Sequence, residues 1–167
     1  MITVLVAVDL CEHSALTIEV ANAIAQGARG RLLVLHVVEL PERPEGEGEE
    51  IETEWSRLKS YVLFSAERVL ESLLLRLGLS GKVEKRLRLG GSPLEAIVEE
   101  ARTSAADLIV VGIHERPFVL RLLTGKLERK LQRRTHCPVV SVRSGTPEQI
   151  ASRLRPKRIV IRAEALR

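Results

Sequence analysis

The chain has 167 residues, a mass of 18.6 kDa and a formal net charge of +4, which fit one modestly basic domain. No run reaches the roughly 20 apolar residues that a membrane-spanning helix needs, and no secretory leader pattern precedes the first apolar run, so we expect a cytoplasmic protein without a membrane segment. Cys11 and Cys137 lack metal-ligand spacing and are expected to be reduced thiols. Aromatic residues make up only 2% of the chain, so the core must consist of aliphatic side chains.

Strand and helix patterns alternate along the chain. Five runs are predicted to be strands: residues 2–8, 31–38, 83–89, 107–112 and 138–143. Between them, apolar residues recur at helical spacing in four segments: 14–28, 51–77, 93–104 and 120–134. The third run alternates apolar and charged residues, which indicates an edge strand. This order predicts an α/β fold, a doubly wound, Rossmann-like, five-stranded parallel sheet of strand order 3-2-1-4-5 with helices on both faces.

Local patterns make three further predictions. The acidic, glycine-containing stretch 42–54 is too polar to bury a face and is predicted to be a loop. Ser92, Pro93 and Glu95 have the spacing of a capping box at a helix start. The apolar face of the long second helix is predicted to contain six residues: Leu58, Val62, Ala66, Val69, Leu70 and Leu73.

In a doubly wound sheet, ligands bind at the carboxyl ends of the strands, where two connections diverge. Here these connections are residues 9–13 after the first strand and 112–126 after the fourth. Glycines there allow backbone N–H groups to approach an anion, and a following helix N-terminus favours negative charge.

Four pieces of the chain together resemble the universal stress protein domain. They are Val8-Asp9 with His13-Ser14, Gly91-Ser92-Pro93 with Ile97 and Ala101, the run ADLIVVG at 106–112, and the run CPVVSVR at 137–143. The resemblance covers residues 1–143 and leaves 144–167 as a basic C-terminal appendage. It implies a stress-response regulatory or binding protein that forms a homodimer through its last strand, with Val139, Val140, Ser141 and Val142 at the edge.

The ATP-binding branch of that family has G-x-x-G, nine residues, and then G-[S/T] after the fourth strand. This chain keeps the spacing, but Glu115 replaces the second glycine and Lys126 replaces the hydroxyl residue. The resemblance assigns nucleotide contacts to Val8, Asp9, Val37, Gly112, Glu115, Gly125, Lys126 and Leu127. Because the carboxylate of Glu115 would repel phosphates, we expect weak or conditional binding of ATP or another adenine nucleotide with fewer phosphates, with Mg²⁺ as a candidate companion ion.

Other interpretations stay open. Gly112, Gly125 and Asp9 also suit ordinary turns and caps, and Glu115 and Glu128 favour a nucleotide-free dimeric scaffold that acts through an unknown protein partner. A slow ATP hydrolase ranks third, because no metal-binding carboxylate is singled out and His114 has no partner marked by spacing. The basic residues of the C-terminal third are interpreted as a solvated face, since no aromatic residues interleave with them to stack nucleic-acid bases.

Overall fold

The computed structural model describes residues 1–40, 43, 46, 48–113 and 121–143, except the side chains of 113 and 121–126. Strands and helices alternate, as predicted. The elements are β1 (Thr3–Val8), α1 (Ser14–Gly27), β2 (Arg31–Val38), α2 (Glu49–Arg76), β3 (Glu84–Leu89), α3 (Pro93–Thr103), β4 (Leu108–Ile113), α4 (Arg121–Arg134) and β5 (Val139–Arg143). None of the helices in this described part is long and apolar enough to cross a lipid bilayer. The segment 144–167 lies outside the described residues.

The five strands form one parallel sheet of order β3-β2-β1-β4-β5, which confirms the predicted topology and the edge position of β3. In the central strand β1, Ala7 is paired with Leu35 of β2 and with Val111 of β4. At its start, the Thr3 N–H donates to Asp107 Oδ2 at 2.7 Å, and the Asp107 N–H donates to the Thr3 carbonyl at 2.9 Å. In this strand order, β2 and β3 lie on one side of β1, and β4 and β5 lie on the other. The order reverses between β1 and β4, where a ligand crevice is expected.

Alternate residues of the buried strands face two separate cores. Val4, Val6 and Val8 of β1 pack with α1 and the C-terminal part of α2, whereas Leu5 packs with α3 and α4 on the opposite face of the sheet. The period-2 alternation of a strand produces this division, and burial on both faces explains why β1 is apolar from Val4 to Val8.

The acidic stretch corrects one prediction. Glu49, Glu50, Glu52 and Glu54 lie in the first turns of α2 and not in a loop. Carboxylates at a helix N-terminus are stabilised by the helix dipole, so their polarity is compatible with helix. Pro41, Glu42, Pro44, Glu45 and Glu47 lie outside the described residues.

The predicted apolar face of α2 is also partly wrong. Leu58 and Val69 are 36% and 51% exposed, whereas Leu74, which was not predicted, is buried beside Leu70 and Leu73. The core thus contacts the C-terminal part of α2, and the apolar spacing further upstream does not mark buried positions.

The predicted capping box at α3 does not form. Ser92 is the N-cap residue, and its carbonyl accepts the Ala96 N–H at 3.0 Å, but its side chain makes no capping hydrogen bond. The Glu95 carboxylate instead accepts two hydrogen bonds from the Arg134 guanidinium, one of them at 2.9 Å. The bidentate pair with Arg134 occupies the carboxylate, so Glu95 links α3 to α4 and does not close the capping box.

Candidate functional site

The carboxyl ends of β1, β2 and β4 lie side by side and bring together residues from distant parts of the sequence. Asp9 follows β1 directly, Val37 lies one residue before the end of β2, and Gly112 lies one residue before the end of β4. Val8 is paired with His36, and Gly112 with Val142. The structure thus places three of the predicted contact residues at the carboxyl end of the sheet.

The turn after β1 holds Asp9 through short-range hydrogen bonds. Asp9 Oδ1 accepts the Cys11 N–H at 3.1 Å and the Ser14 hydroxyl at 3.3 Å. Leu10, between Asp9 and Cys11, has φ of 58°. This left-handed conformation is unfavourable for leucine, and the surrounding hydrogen bonds must stabilise it. The side chain of Asp9 is therefore oriented by the turn while the residue remains exposed to solvent.

The two valines predicted to contact a ligand face different sides of the sheet. The Val8 side chain is buried against α1, so only its backbone can face the crevice, and its carbonyl oxygen accepts a hydrogen bond from His36 Nδ1 at 2.8 Å. Val37 follows Leu33 and Leu35 in the alternation and is half-buried on the α3 and α4 side. Sequence reasoning missed this role of His36, which only the register of β1 against β2 reveals.

Comparison with known proteins identifies the family. The model of the universal stress protein family matches residues 1–143. This chain belongs to the universal stress protein family. It is 35% identical over 141 residues to the universal stress protein in the QAH/OAS sulfhydrylase 3′ region of Thermus aquaticus, and the match covers 84% of this chain and 98% of that protein.

Solved universal stress protein structures show the same fold. UspA from Lactobacillus plantarum has a TM-score of 0.64 at 20% identity, and the match covers 85% of this chain and 97% of that one. A universal stress protein crystallised in complex with cAMP has a TM-score of 0.55 at 22% identity, with 86% and 98% covered. At these identities the likeness concerns the fold alone.

The structure describes only part of the segment in which the phosphate contacts of this universal stress protein are predicted. His114 and Glu115 lie outside the described residues, and for Gly125 and Lys126 only the backbone is described. Helix α4 already begins at Arg121, so Gly125 is its fifth residue. At that position an N–H ordinarily bonds within the helix and does not point at a ligand, which weakens the case for a phosphate contact there.

Further along α4, the predicted residue Leu127 is half-buried and packs against the core that contains Leu131 and Ile97. Glu128 is half-buried too, and its carboxylate accepts a hydrogen bond from Gln132 Nε2 at 3.3 Å. Both side chains are thus engaged in packing or bonding along α4.

Neither cysteine has the environment of a reactive thiol. Burial raises the pKa of the Cys11 thiol, and a hydrogen bond to Asp9 and its negative charge raise it further, although the His13 N–H, 3.4 Å from Sγ, opposes this. The pKa of Cys137 is also raised, mainly by burial. Within the described part of the chain, no three acidic, imidazole or thiol groups come close enough to hold a metal ion.

Proposed function

We propose that this universal stress protein is a stress-response regulatory protein that binds an adenine nucleotide weakly at the carboxyl ends of β1, β2 and β4. The observation that carries the proposal is the placement of Asp9 and Val37 together at the carboxyl end of the sheet. Asp9 is acidic and exposed, and Val37 is apolar and half-buried. A half-exposed valine offers an apolar surface for a purine base, and a carboxylate held by a turn is an acceptor for ribose hydroxyls.

The predicted phosphate side favours a ligand of low charge. Glu115 would place a negative charge near the phosphates, and repulsion at about 6 Å in a half-aqueous site is on the order of 1 kcal/mol. The structural neighbour in complex with cAMP, a ligand with a single phosphate charge, supports the same choice. We expect AMP or cAMP to bind more tightly than ATP unless Mg²⁺ screens the additional phosphates.

Thermal-shift titration of the full chain with cAMP, AMP, ADP and ATP, each with and without Mg²⁺, tests the proposal. A ligand that binds only the native state must raise the melting temperature in a saturable way. Absence of any shift at millimolar nucleotide would reject the proposal in favour of a nucleotide-free scaffold.

Two variants at one position separate charge from bulk. Glu115→Gln removes the charge and Glu115→Gly removes both charge and side chain. We expect Glu115→Gln to tighten ATP binding roughly fivefold, as relief of about 1 kcal/mol implies. An unchanged affinity for ATP in both variants contradicts the repulsion argument.

The proposed homodimer uses the open edge of β5. Among the described strands, β5 pairs with β4 alone, and Val140 is 36% exposed. An apolar strand edge favours pairing with another strand, so a lysine placed there should oppose it. Sedimentation velocity over a range of concentrations should show weaker self-association of Val140→Lys than of wild type, and equal self-association of the two proteins would reject this interface.

The nucleotide-free scaffold remains the second candidate, because the position of Gly125 inside α4 weakens the phosphate site. The third candidate, a slow ATP hydrolase, predicts phosphate release that disappears in Asp9→Asn. The binding proposal expects no such release.

A further inference from the structure

Helix α2 is longer than the sheet that it covers. Its 28 residues extend about 42 Å, whereas the eight residues of β2 extend about 26 Å. The buried residues of α2 are Leu70, Leu73 and Leu74, all in its C-terminal third. The N-terminal two thirds of the helix therefore pass the core without a fully buried side chain.

This exposed part of α2 holds most of the aromatic residues of the chain. The sequence has one Trp, one Tyr and two Phe, and Trp55, Tyr61 and Phe64 lie on α2. Tyr61 is 70% exposed and Phe64 is 58% exposed. The Arg68 guanidinium lies over the Phe64 ring, 5.7 Å from its centroid. Exposed aromatic side chains next to an arginine are typical of the centres of protein interfaces.

Tyr61, Phe64 and Arg68 share one face of the helix with two residues further upstream. At about 100° per residue, Glu54, Leu58, Phe64 and Arg68 all lie within roughly 60° of the direction of Tyr61. Leu70, nine residues after Tyr61, points about 180° away into the core. We call five of the outward residues, Glu54, Leu58, Tyr61, Phe64 and Arg68, the α2 outer face; Arg57 and Ser65, about 40° to either side of Tyr61, lie among them. It lies opposite the surface that anchors the helix.

The side chains of the α2 outer face are complementary to those of a second copy that runs in the opposite direction. Leu58 and Phe64 lie three residues on either side of Tyr61, and Glu54 and Arg68 lie seven residues on either side. An antiparallel copy centred on Tyr61 would place Leu58 against Phe64 of the partner subunit and Glu54 against Arg68 of the partner subunit. A parallel copy would instead oppose Glu54 to itself and Arg68 to itself.

From this pattern we infer that the α2 outer face binds the same face of a second copy of the chain, antiparallel, with Tyr61 on the two-fold axis. A two-fold interface requires this reciprocity, in which residue i meets residue j and j meets i. The contact over residues 54–68 is about 21 Å long, which is small for an interface, so we expect association at micromolar concentrations. The interface is distinct from the proposed β5 edge and independent of any nucleotide.

Charge reversal tests the register. We expect Glu54→Arg and Arg68→Glu each to weaken self-association at least tenfold in sedimentation velocity at low salt, and the double variant to restore it. All variants carry Val140→Lys to remove association through β5. If the double variant associates no better than the single variants, the proposed register is wrong. If the Val140→Lys chain is monomeric at all concentrations, the α2 interface itself is wrong.

Cross-linking tests the two-fold axis in an unrelated way. In a Cys11→Ser background, Tyr61→Cys should form a covalent dimer on mild oxidation. Ser60→Cys, an exposed position about 100° around the helix, should form much less and serves as the matched control. Equal cross-linking at both positions, or none at Tyr61→Cys, overturns the proposal and leaves the α2 outer face to segment 144–167 or to another protein.

Discussion

Arg88 on the edge strand β3 donates two hydrogen bonds to one carboxylate oxygen of Glu100 on α3, from Nε at 3.1 Å and from Nη2 at 2.8 Å. Arg86 Nε lies 3.6 Å from the other oxygen. Glu100 is only 3% exposed, whereas the two arginines reach it from solvent. The edge strand β3 is thus attached to α3 by a buried carboxylate.

Removing Arg88 should destabilise the protein because it leaves a buried charge with weaker compensation. The side chain of Arg88 is 45% exposed, so the cost of Arg88→Met should be about 1–3 kcal/mol, below that of a fully buried pair. Adding Glu100→Leu should recover part of the loss, since it removes the orphaned charge. Urea unfolding followed by circular dichroism measures both, and Arg102→Met, which breaks an exposed pair, is the control.

Two glycines that flank the end of α1 should respond to alanine in opposite directions. A Cβ at Gly30 would lie 2.5 Å from the Ile2 carbonyl oxygen, whereas a Cβ at Gly27 would meet no atom within 4 Å. Gly30→Ala should therefore cost roughly 2 kcal/mol or more through backbone displacement. Gly27→Ala should stabilise by about 0.5 kcal/mol, because alanine has less freedom in the unfolded chain. Equal melting temperatures for the two variants would contradict this packing.

Acid should destabilise the protein through ion-paired glutamates. Hydrogen bonds from Lys85 and Ser80 hold the pKa of Glu71 below its usual range, and Arg134 and Arg102 do the same for Glu95 and Glu99. A carboxyl whose folded pKa is depressed contributes stability above the unfolded pKa and loses that contribution as pH falls through the folded pKa.

We therefore expect a melting temperature that is flat near neutral pH and falls below about pH 5.5, where glutamates of the unfolded chain begin to bind protons. The difference between wild type and Glu71→Gln should shrink as the pH falls. Glu67→Gln, at an exposed position of the same helix, is the comparison. A constant difference across the whole pH range would show that Glu71 contributes through packing and not through its charge.

The thiol of Cys11 should react slowly, and Asp9 should be part of the reason. Its raised pKa leaves less thiolate at pH 8, and the thiolate is the nucleophile. Asp9→Asn keeps an oxygen acceptor for the Cys11 N–H but removes the negative charge, so it should lower the pKa of Cys11 and speed its reaction with a disulfide reagent. Cys137 should react at the same rate in both proteins, and no acceleration at Cys11 would exclude Asp9 as a cause.

The sequence predicts the alternation of elements well, because strands buried on both faces appear as apolar runs and helices keep their spacing. Its failures occur where a distant residue decides the outcome. Glu95 lies 39 residues before Arg134 along the chain, so no local pattern shows that the arginine takes it from the capping box. Similarly, the apolar spacing of α2 continues beyond the sheet, and only the packed structure shows that Leu58 and Tyr61 are 36% and 70% exposed.

The candidate site was predictable only to the level of strand ends. The parallel topology places Asp9, Val37 and Gly112 together at the carboxyl end of the sheet. The burial of the Val8 side chain does not follow from the topology, because it depends on which strand residues face α1. The position of Gly125 inside α4 does not follow either, because it depends on where the helix begins. Both decide which group faces a ligand.

The Thr3 and Asp107 hydrogen bonds have a consequence for how the chain acquires its structure. They join β1 and β4 across 104 residues, and β1 is the middle strand of the sheet. During synthesis, β1 can pair with β2 early, but its other edge has no partner until residues 108–113 emerge. Closing so long a loop is slow, so nascent chains are expected to expose an apolar strand edge for much of translation, and truncation before β4 should yield aggregating rather than partially folded protein.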